Sequence, residues 1–582
     1  MTKSFSGKVW NFIKLDQEKI FEMKRSSDIS ELVARILINR GISEATEIEN
    51  FLDSKLKNTI PNPSLFLDMD KGVSRIIEAI EKKQQIMIIG DYDVDGITST
   101  YTMIRYLADI GISPKYYIPN RFSDGYGVNE HLIKMAVENK TELLVVLDSG
   151  INSIGEIEVA NDFRIDSIII DHHLPLQTEL PRAVAIINPN RVDQNELGHS
   201  HIKKLCAVGI VFIFLIALQR ELKNMGFFKN KQLPDLLEFI DVVALGTICD
   251  VMELRGINRA VVKYTMTRNR YSAGISALME AFNINKISSA EDLSFFIGPA
   301  INAAGRIGDP HLALNLFLEE SLEKAQKIAL KLVDLNKQRK IIEKQIFAES
   351  MAMIDKLNLY QDKAICVFGD NWNEGVIGII AGKLKDKFQK PAFVISFGKD
   401  GIGKGSARSI QGMHLGDFFD KTNSEKITVN GGGHELAGGF SMHREKIKEF
   451  LNFMNSQINV KFLNSIDIDY SLSAMSDLDK ISKELSTIEP FGKGMEKPIF
   501  CIKKLRIRQS RKTNSGSHLM FIFTGEFDKG TIKAILFNSN SKGGIVNSVL
   551  ENKLELFDIV GSINYNEQFG SGIVIEDLRL SI

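Results

Sequence analysis

Between residues 85 and 188 one pattern recurs five times: a short apolar run that closes on polar or acidic groups, with helical stretches in between. The runs are QIMIIGD (85–91), KYYIP (115–119), LLVVLDSG (143–150), SIIIDHH (167–173) and AVAIIN (183–188). The segments ITSTYTMIRYLADIG, NEHLIKMAVENK and SIGEIEVANDF between them carry helical periodicity. Strand, helix, strand in this order predicts parallel βαβ units and an open α/β sheet. Such a sheet gathers the groups that end its strands at one carboxyl edge, where ligands bind. Those groups are acidic here: Asp91, Asp93 and Asp95 after the first run, Asp148 after the third, and Asp171-His172-His173 after the fourth.

The rest of the chain divides around this core. Residues 1–67 read as an N-terminal helical segment and 68–310 as the domain that holds the parallel sheet. From His311 to Phe368 there is neither Gly nor Pro, and apolar residues recur at helical spacing. That predicts a connecting helix within 311–362, and about 40 residues of helix would reach ~60 Å, enough to join two lobes. Its charged residues are expected on a solvated face. AICVFGD (364–370) and KPAFVISFG (390–398) predict strands of a smaller, Gly-rich α/β domain over 363–460. Over 461–582, YSLSAM, KKLRIRQ, HLMFIFTGEF, TIKAILF, ELFDIVGSI and SGIVIEDLRL are short strands at regular spacing, as in a small β-barrel or sandwich.

Composition removes several function classes. Lys and Arg total 72 against 73 Asp and Glu, so the chain is no basic nucleic-acid coat, although a local basic track is allowed. Cys206, Cys249, Cys366 and Cys501 lie far apart with no CxxC pair. That argues against a disulfide framework or a thiolate zinc site and for a reducing, cytoplasmic setting. The most apolar run, Leu205 to Leu218, is shorter than the ~20 residues that span a bilayer and is expected as a buried helix. The N-terminal MTKSFSGKVWNFIKL lacks the apolar core of a targeting segment, so no membrane association is expected.

Asp91-Tyr-Asp93-Val-Asp95-Gly96 resembles the start of a calcium loop of the EF-hand kind. Thr102 occupies the twelfth position in place of the bidentate Glu, and the segment follows a strand, so that reading fails. Three carboxylates within five residues repel one another, and a cation is the economical reason to crowd them. Asp250, in GTICDVMEL after an apolar helix, could join them. Singly, each has a plainer reading, such as a helix cap for Asp148. Oxygen donors with an imidazole suit Mn²⁺ or Mg²⁺, and two such ions could activate a water and stabilise a phosphoryl transition state.

DYDVDG, LDSG, DHH and GTICDVMEL resemble the four motifs of the DHH phosphoesterase superfamily. IPNRFSDGYG (118–127), INAAGRIG (301–308), WNEGVIGIIAGKL (372–384), GKGSARS (403–409), GGGHELAGG (431–439) and EPFGKGMEKPIF (489–500) narrow the resemblance to the bacterial RecJ single-strand exonucleases. It runs from about residue 68 to the C-terminus, with the motifs in the family's order. It implies a DHH domain, a DHHA1-type second domain and an OB-like barrel. It further implies that Asp93, Asp95, Asp148, His172 and Asp250 hold two metal ions, with Asp91, Asp171 and His173 orienting those ligands or touching phosphate. Arg121, Asn302 and Arg306 would close a phosphate pocket from the DHH side.

The Gly-rich lobe nearly matches a P-loop at Gly398-KDGI-Gly403-Lys404, but Gly405 replaces the Ser or Thr that would hold Mg²⁺. Its glycines either admit backbone amides to a phosphate, with Ser406, Arg408 and His434 as donors, or merely make turns. From Phe500 to Lys512 there are six basic residues and no acid. Strand alternation would set Lys504, Arg506 and Arg508 on one face, next to Lys503, with Leu505 and Ile507 on the other. These form a candidate track for single-stranded DNA, or else a charged edge, and Phe521 and Phe523 are candidate base-stacking rings. The expected activity is 5′-to-3′ hydrolysis of single-stranded DNA to mononucleotides in recombination and repair. The protein is expected to act as a monomer with single-strand-binding protein and a RecQ-type helicase as partners. The alternatives are a DHH phosphodiesterase for oligonucleotides or cyclic dinucleotides, and an inactive DHH scaffold.

Overall fold

Each of the five apolar runs forms a strand. In the computed structural model, residues 4–581 are described apart from 126, 177, 196–199, 459–463, 474, 514–515, 527–529, 538, 540–542, 553 and 567–569. The chain forms two compact units, one of residues 60–252 with 264–462, the other of 1–59 with 253–263 and 463–582.

In the larger unit the strands Ile86–Ile89, Lys115–Tyr117, Leu143–Leu147, Asp166–Ile170 and Ala185–Ile187 make one sheet. Its spatial order is 115–117, 86–89, 143–147, 166–170, 185–187, and every pairing is parallel. Ile86–Ile89 and Leu143–Leu147 are buried throughout, which is why they read as unbroken apolar runs. Helices Glu130–Glu138 and Ile154–Asp162 cover one face through Leu132, Ile133, Ala136, Ile157 and Ala160. Helix Val94–Asp109 lies against the sheet and packs on Ala207–Asn224, the buried helix expected from the most apolar run, and on Ile240–Cys249. That packing carries Asp250, the residue after Ile240–Cys249, to the carboxyl edge of the sheet.

The helical stretch expected from residue 311 divides in two. His311–Leu318 ends where Glu319 turns extended, and Ser321 then caps a second helix, Leu322–Leu357, by accepting the Lys324 amide. At 36 residues the second helix is ~54 Å long. Its charges are not all solvated. Asn336, Arg339 and Glu343 lie on the buried stripe with Leu332, Ile346 and Ile354. Arg339 pairs with Glu343 at 2.5 Å and with the Asn336 carbonyl oxygen, while Lys383 also reaches Glu343. Charges at helical spacing read as a solvated face until another helix covers them, and here Glu374–Phe388 does so.

A second, mixed sheet has the order Asn430–Gly433, Ala437–His443, Ile402–Arg408, Ala392–Phe397, Ile365–Asp370, with only the last pair parallel. Its core is aromatic: Phe393, Phe418, Phe419, Phe440 and Phe450. This explains glycines that were expected to make turns or admit phosphate. A Cβ on Gly405 would sit 2.2 Å from the Phe440 ring, and one on Gly403 2.5 Å from the Phe397 ring. Both lie within a strand and give way to rings.

In the smaller unit, Phe500–Lys512, Leu519–Gly525, Thr531–Leu536, Gly570–Leu580 and Leu556–Asn566 pair in that order, and the last returns to the first. The result is a closed five-stranded barrel. N-terminal helices Gln17–Ser27, Glu31–Asn39 and Ala45–Asp53 share its core through Ile20, Met23, Ile36, Leu37, Ile48 and Phe51. Arg259, fully buried, donates to the carbonyls of Phe51, Ile488, Glu489 and Pro490 and lies 3.7 Å from the centre of the Phe51 ring.

Candidate active site

The acidic loop folds tightly because its glycines permit it. A Cβ on Gly96 would lie 2.5 Å from the Asp91 backbone, and one on Gly90 1.9 Å from Thr100 Oγ1. Asp93 caps helix Val94–Asp109, its Oδ1 accepting the amides of Asp95 (2.9 Å) and Gly96 (3.1 Å). Asp95 accepts the amides of Ala207 (2.6 Å) and Val208 (2.9 Å), so the start of helix Ala207–Asn224 fixes its carboxylate. Gly246 leaves room for that approach, since its Cβ would fall 3.1 Å from Asp95 Oδ1. Asp148 follows its strand at φ +59, its amide bonded to Ile170.

Asp171 spends its oxygens inside the protein. They accept the amides of Ile151, His172 and His173 and meet His173 Nδ1 at 2.7 Å. Burial alone would raise Asp171, but the His173 bond and charge outweigh it and hold the carboxyl at about 2. Reciprocally, burial would lower His173, yet Asp171 lifts it to about 9. His172 is the opposite: burial and the His173 charge push it down to about 4, leaving a neutral imidazole. Its Nε2 lies 3.3 Å from Asp148, 3.5 Å from Asp250 and 3.8 Å from Asp95.

Three groups of donor atoms, each within 4.8 Å, result: Asp91, Asp93 and Asp148; Asp95, His172 and Asp250; and Asp148, His172 and His173. Asp148 belongs to two of them. Asp91, expected as an orienting residue, therefore stands among the possible ligands, and its buried Oδ1 has no hydrogen-bond partner among the described residues. Burial and then neighbouring carboxylates raise Asp91 and Asp148 well above the usual range and Asp95 to about 6. Crowded buried carboxylates, an unpartnered oxygen and a neutral imidazole fit a hard divalent cation.

Cations line the adjoining space. Arg121 lies over the Tyr92 ring at 5.5 Å. Arg306, on helix Gly298–Ile307, donates to the Gly375 carbonyl at 3.1 Å, and burial followed by the Arg121 charge pushes it down to about 10. Arg408 donates to its neighbour Ala407 at 2.9 Å and reaches Ser406 Oγ at 3.4 Å. Burial and Arg121 lower it too. His434 is lowered by burial and then by the His173 charge, which links the second sheet to the DHH motif. Asn302 is half-buried one turn before Arg306.

On the barrel, Arg506 and Arg508 are exposed opposite buried Leu505 and half-buried Ile507, as alternation requires. Lys503 and Lys504 depart from it. The register slips between Ile502 and Leu505, and Lys504 takes φ +57, so both lysines are exposed in a bulge. Lys503 lies over the Phe12 ring and Lys504 approaches Glu526 at 3.8 Å. Phe521 and Phe523 are buried and stack on each other at 5.3 Å, which removes both as base platforms.

Sequence reasoning missed Tyr92, the amides of Ala207 and Val208, Gly375 and the Arg339–Glu343 pair. Tyr92, inside DYDVDG, and Gly375, inside WNEGVIGIIAGKL, carried a signal.

Family models match three stretches: the DHH family, N-terminal domain, at 85–247; the DHHA1 domain at 361–460; and the RecJ OB domain at 466–572. The single-stranded-DNA-specific exonuclease RecJ of Haemophilus influenzae is 31% identical over 91% of this chain and 93% of its own. That of Escherichia coli is 33% identical over 81% and 83%. The crystal structure of RecJ in complex with Mn²⁺ from Thermus thermophilus superposes with a TM-score of 0.78 at 24% identity, covering 98% of this chain and 79% of that one.

Proposed function

The chain belongs to the RecJ family of single-stranded-DNA-specific exonucleases, and on that premise we propose that it degrades single-stranded DNA from the 5′ end to mononucleotides by two-metal hydrolysis. The observation that carries this reading is a buried carboxylate and imidazole cluster, with Arg121 set so that its charge adds to burial in lowering both Arg306 and Arg408, all in one compact unit. Asp91, Asp93 and Asp148 would hold one Mn²⁺ or Mg²⁺, and Asp95, His172 and Asp250, with Asp148 shared, the other. When bound, the ions supply Lewis acidity toward a phosphodiester and lower the pKa of water.

The chain's own groups do the rest. The Asp171 bond favours the protonated form of His173, whose imidazolium would then be available to non-bridging phosphate oxygens. His172 stays neutral and offers a lone pair. Arg121, Arg306 and Arg408, with Ser406, His434 and Asn302, would receive a terminal 5′-phosphate, whose extra charge relieves their repulsion and fixes which ester is cut. Exposed Arg506 and Arg508, with Lys503 and Lys504, would track the strand backbone.

Among the described residues no helix is long and apolar enough to cross a membrane. A cytoplasmic monomer in recombination and repair, loaded by single-strand-binding protein and a RecQ-type helicase, belongs to the same reading. The test is digestion of 3′-labelled single and double strands with Mn²⁺ or Mg²⁺, resolved by length. A descending ladder from single strands alone is expected. Release of the 3′-terminal label as first product would overturn the polarity, and cleavage confined to dinucleotides would favour the small-substrate alternative.

A further inference from the structure

With Phe521 and Phe523 enclosed in the barrel, exposed rings must be sought elsewhere, and two stand on a turn that packs against Cys249, the residue before candidate ligand Asp250. Asp292–Ile297 is a single π-helical turn running into helix Gly298–Ile307. Such turns are rare and recur at functional sites. Phe295 is 65% and Phe296 44% exposed, and Phe282 braces Phe296 edge-on at 5.9 Å.

The turn is seated on the residue before Asp250. The Cys249 thiol approaches the Leu293 carbonyl at 4.0 Å, and a Cβ on Gly298 would fall 2.2 Å from Cys249 Sγ. On the other side of Asp250, Val251 is 59% exposed at φ +56. A β-branched residue in the left-handed region is a genuine outlier, of the kind that clusters at functional sites. Three apolar side chains are thus held in solvent, Val251 next to a candidate metal ligand and Phe295 and Phe296 on the turn packed against Cys249, the residue before that ligand.

We propose that Phe295, supported by Phe296, is a stacking platform for a nucleobase of the single strand flanking the phosphodiester under attack, with Val251 as its apolar lip. The proposal rests on the nuclease reading above and names a subsite for it. Every base offers a π-face, so a bare phenyl ring serves a sequence-tolerant enzyme. Continuity with Asp250 favours the substrate over a protein partner, which would cover the strand's approach to the ligands.

The test places 2-aminopurine at successive positions of a 5′-phosphorylated single strand and reads its quenching on the full-length protein in EDTA. Kinetics in Mn²⁺ follow for wild type, Phe295→Ala and Phe295→Tyr. Quenching should peak at one or two adjacent positions, disappear in Phe295→Ala and return in Phe295→Tyr. KM should rise about 10-fold in Phe295→Ala, with a smaller effect on kcat. An abasic site at the quenched position should raise the wild-type KM equally and add nothing in the variant. Equal KM values for wild type and Phe295→Ala, or quenching unchanged by the substitution, would overturn the platform. A change in the sedimentation of the protein alone would assign the face to self-association and overturn it too. If wild type cleaves no single strand, the nuclease reading fails, while the quenching still decides whether a base stacks there.

Discussion

Gly375 is where the two halves of the candidate site touch most closely, and replacing it tests whether their spacing sets the chemistry. It opens helix Glu374–Phe388, its amide held by the Asn373 cap at 2.9 Å. A Cβ there would lie 2.1 Å from the Arg306 carbonyl oxygen and 2.9 Å from its carbonyl carbon and Cα, where ordinary contact begins at 3.4 Å. The obstacle is backbone, so the helices must part by about 1.3 Å, the difference between 3.4 and 2.1. One turn on, Gly378 faces Ser406 Oγ and Arg408 Nη2, so the phosphate donors move with the helix. Overpacking of this kind costs ~1–3 kcal/mol of stability, and a ~1 Å misplacement costs up to ~100-fold in rate. Gly375→Ala should therefore lower kcat/KM on 5′-phosphorylated single strands by roughly 10- to 100-fold in the folded protein. Gly382→Ala, on the same helix with nothing within 4 Å of its Cβ, is the control and should be neutral or stabilising by ~0.5–1 kcal/mol. The assay pairs single-turnover kinetics with urea unfolding. If Gly375→Ala loses stability while its folded fraction keeps full kcat/KM, lobe spacing does not govern the reaction.

Asp148→Asn removes the carboxylate shared by two donor groups. Hydrolysis should fall on the order of 1,000-fold or more, while fluorescence anisotropy should show single-strand binding largely kept. Arg408→Ala should cost ~1.5–3 kcal/mol in kcat/KM on 5′-phosphorylated strands and less on strands with a 5′-hydroxyl, as parallel kinetics would show. A pH series should expose the carboxylate strain, with Asp95 raised to about 6 and Asp91 and Asp148 raised well above the usual range. Because these folded pKa values lie above the unfolded ones, their contribution to stability is full below ~3.9 and is lost as pH rises through the folded values. Mn²⁺ takes the ionised forms, so the Tm gain on adding it should be small near pH 5 and grow toward pH 8; a gain independent of pH would contradict this assignment.

What could be read from the sequence was what depends on local order. Strands that end in acids announced the parallel sheet and its loaded edge, because a period of buried residues and a terminal polar group both lie within ten positions. The barrel was legible for the same reason, strand by strand. What escaped depends on partners distant along the chain. Asp95 anchors to amides 112 and 113 residues away. Arg339 and Glu343 look solvated until helix Glu374–Phe388 covers them, and Gly405 looks like a turn until Phe440 fills the space above it. Lys503, in step with buried Leu505, is exposed through a bulge, which alternation cannot foresee.

Apart from the Asp171–His173 pair, the arginines and the acidic loop of the site are arranged so that they do not satisfy each other. Among the described residues no ion pair joins Arg121, Arg306 or Arg408 to Asp91, Asp93 or Asp95. Arg306 and Arg408 donate instead to the carbonyls of Gly375 and Ala407. Had the arginines closed on the carboxylates, the acids would be neutralised and the cation site lost, with nothing left for a phosphate. Holding them apart leaves each cluster with its own repulsion, which adds to the larger effect of burial in raising the carboxyls on one side and lowering the guanidinium of Arg306 on the other. A divalent cation would relieve the first cluster and a phosphate the second. Because the two guests attract each other, each would improve the other's binding, and by linkage the improvement would be reciprocal. A strand carrying a terminal phosphate next to its scissile ester is a ligand that both clusters could share, and that matches the charge pattern better than an inert scaffold does.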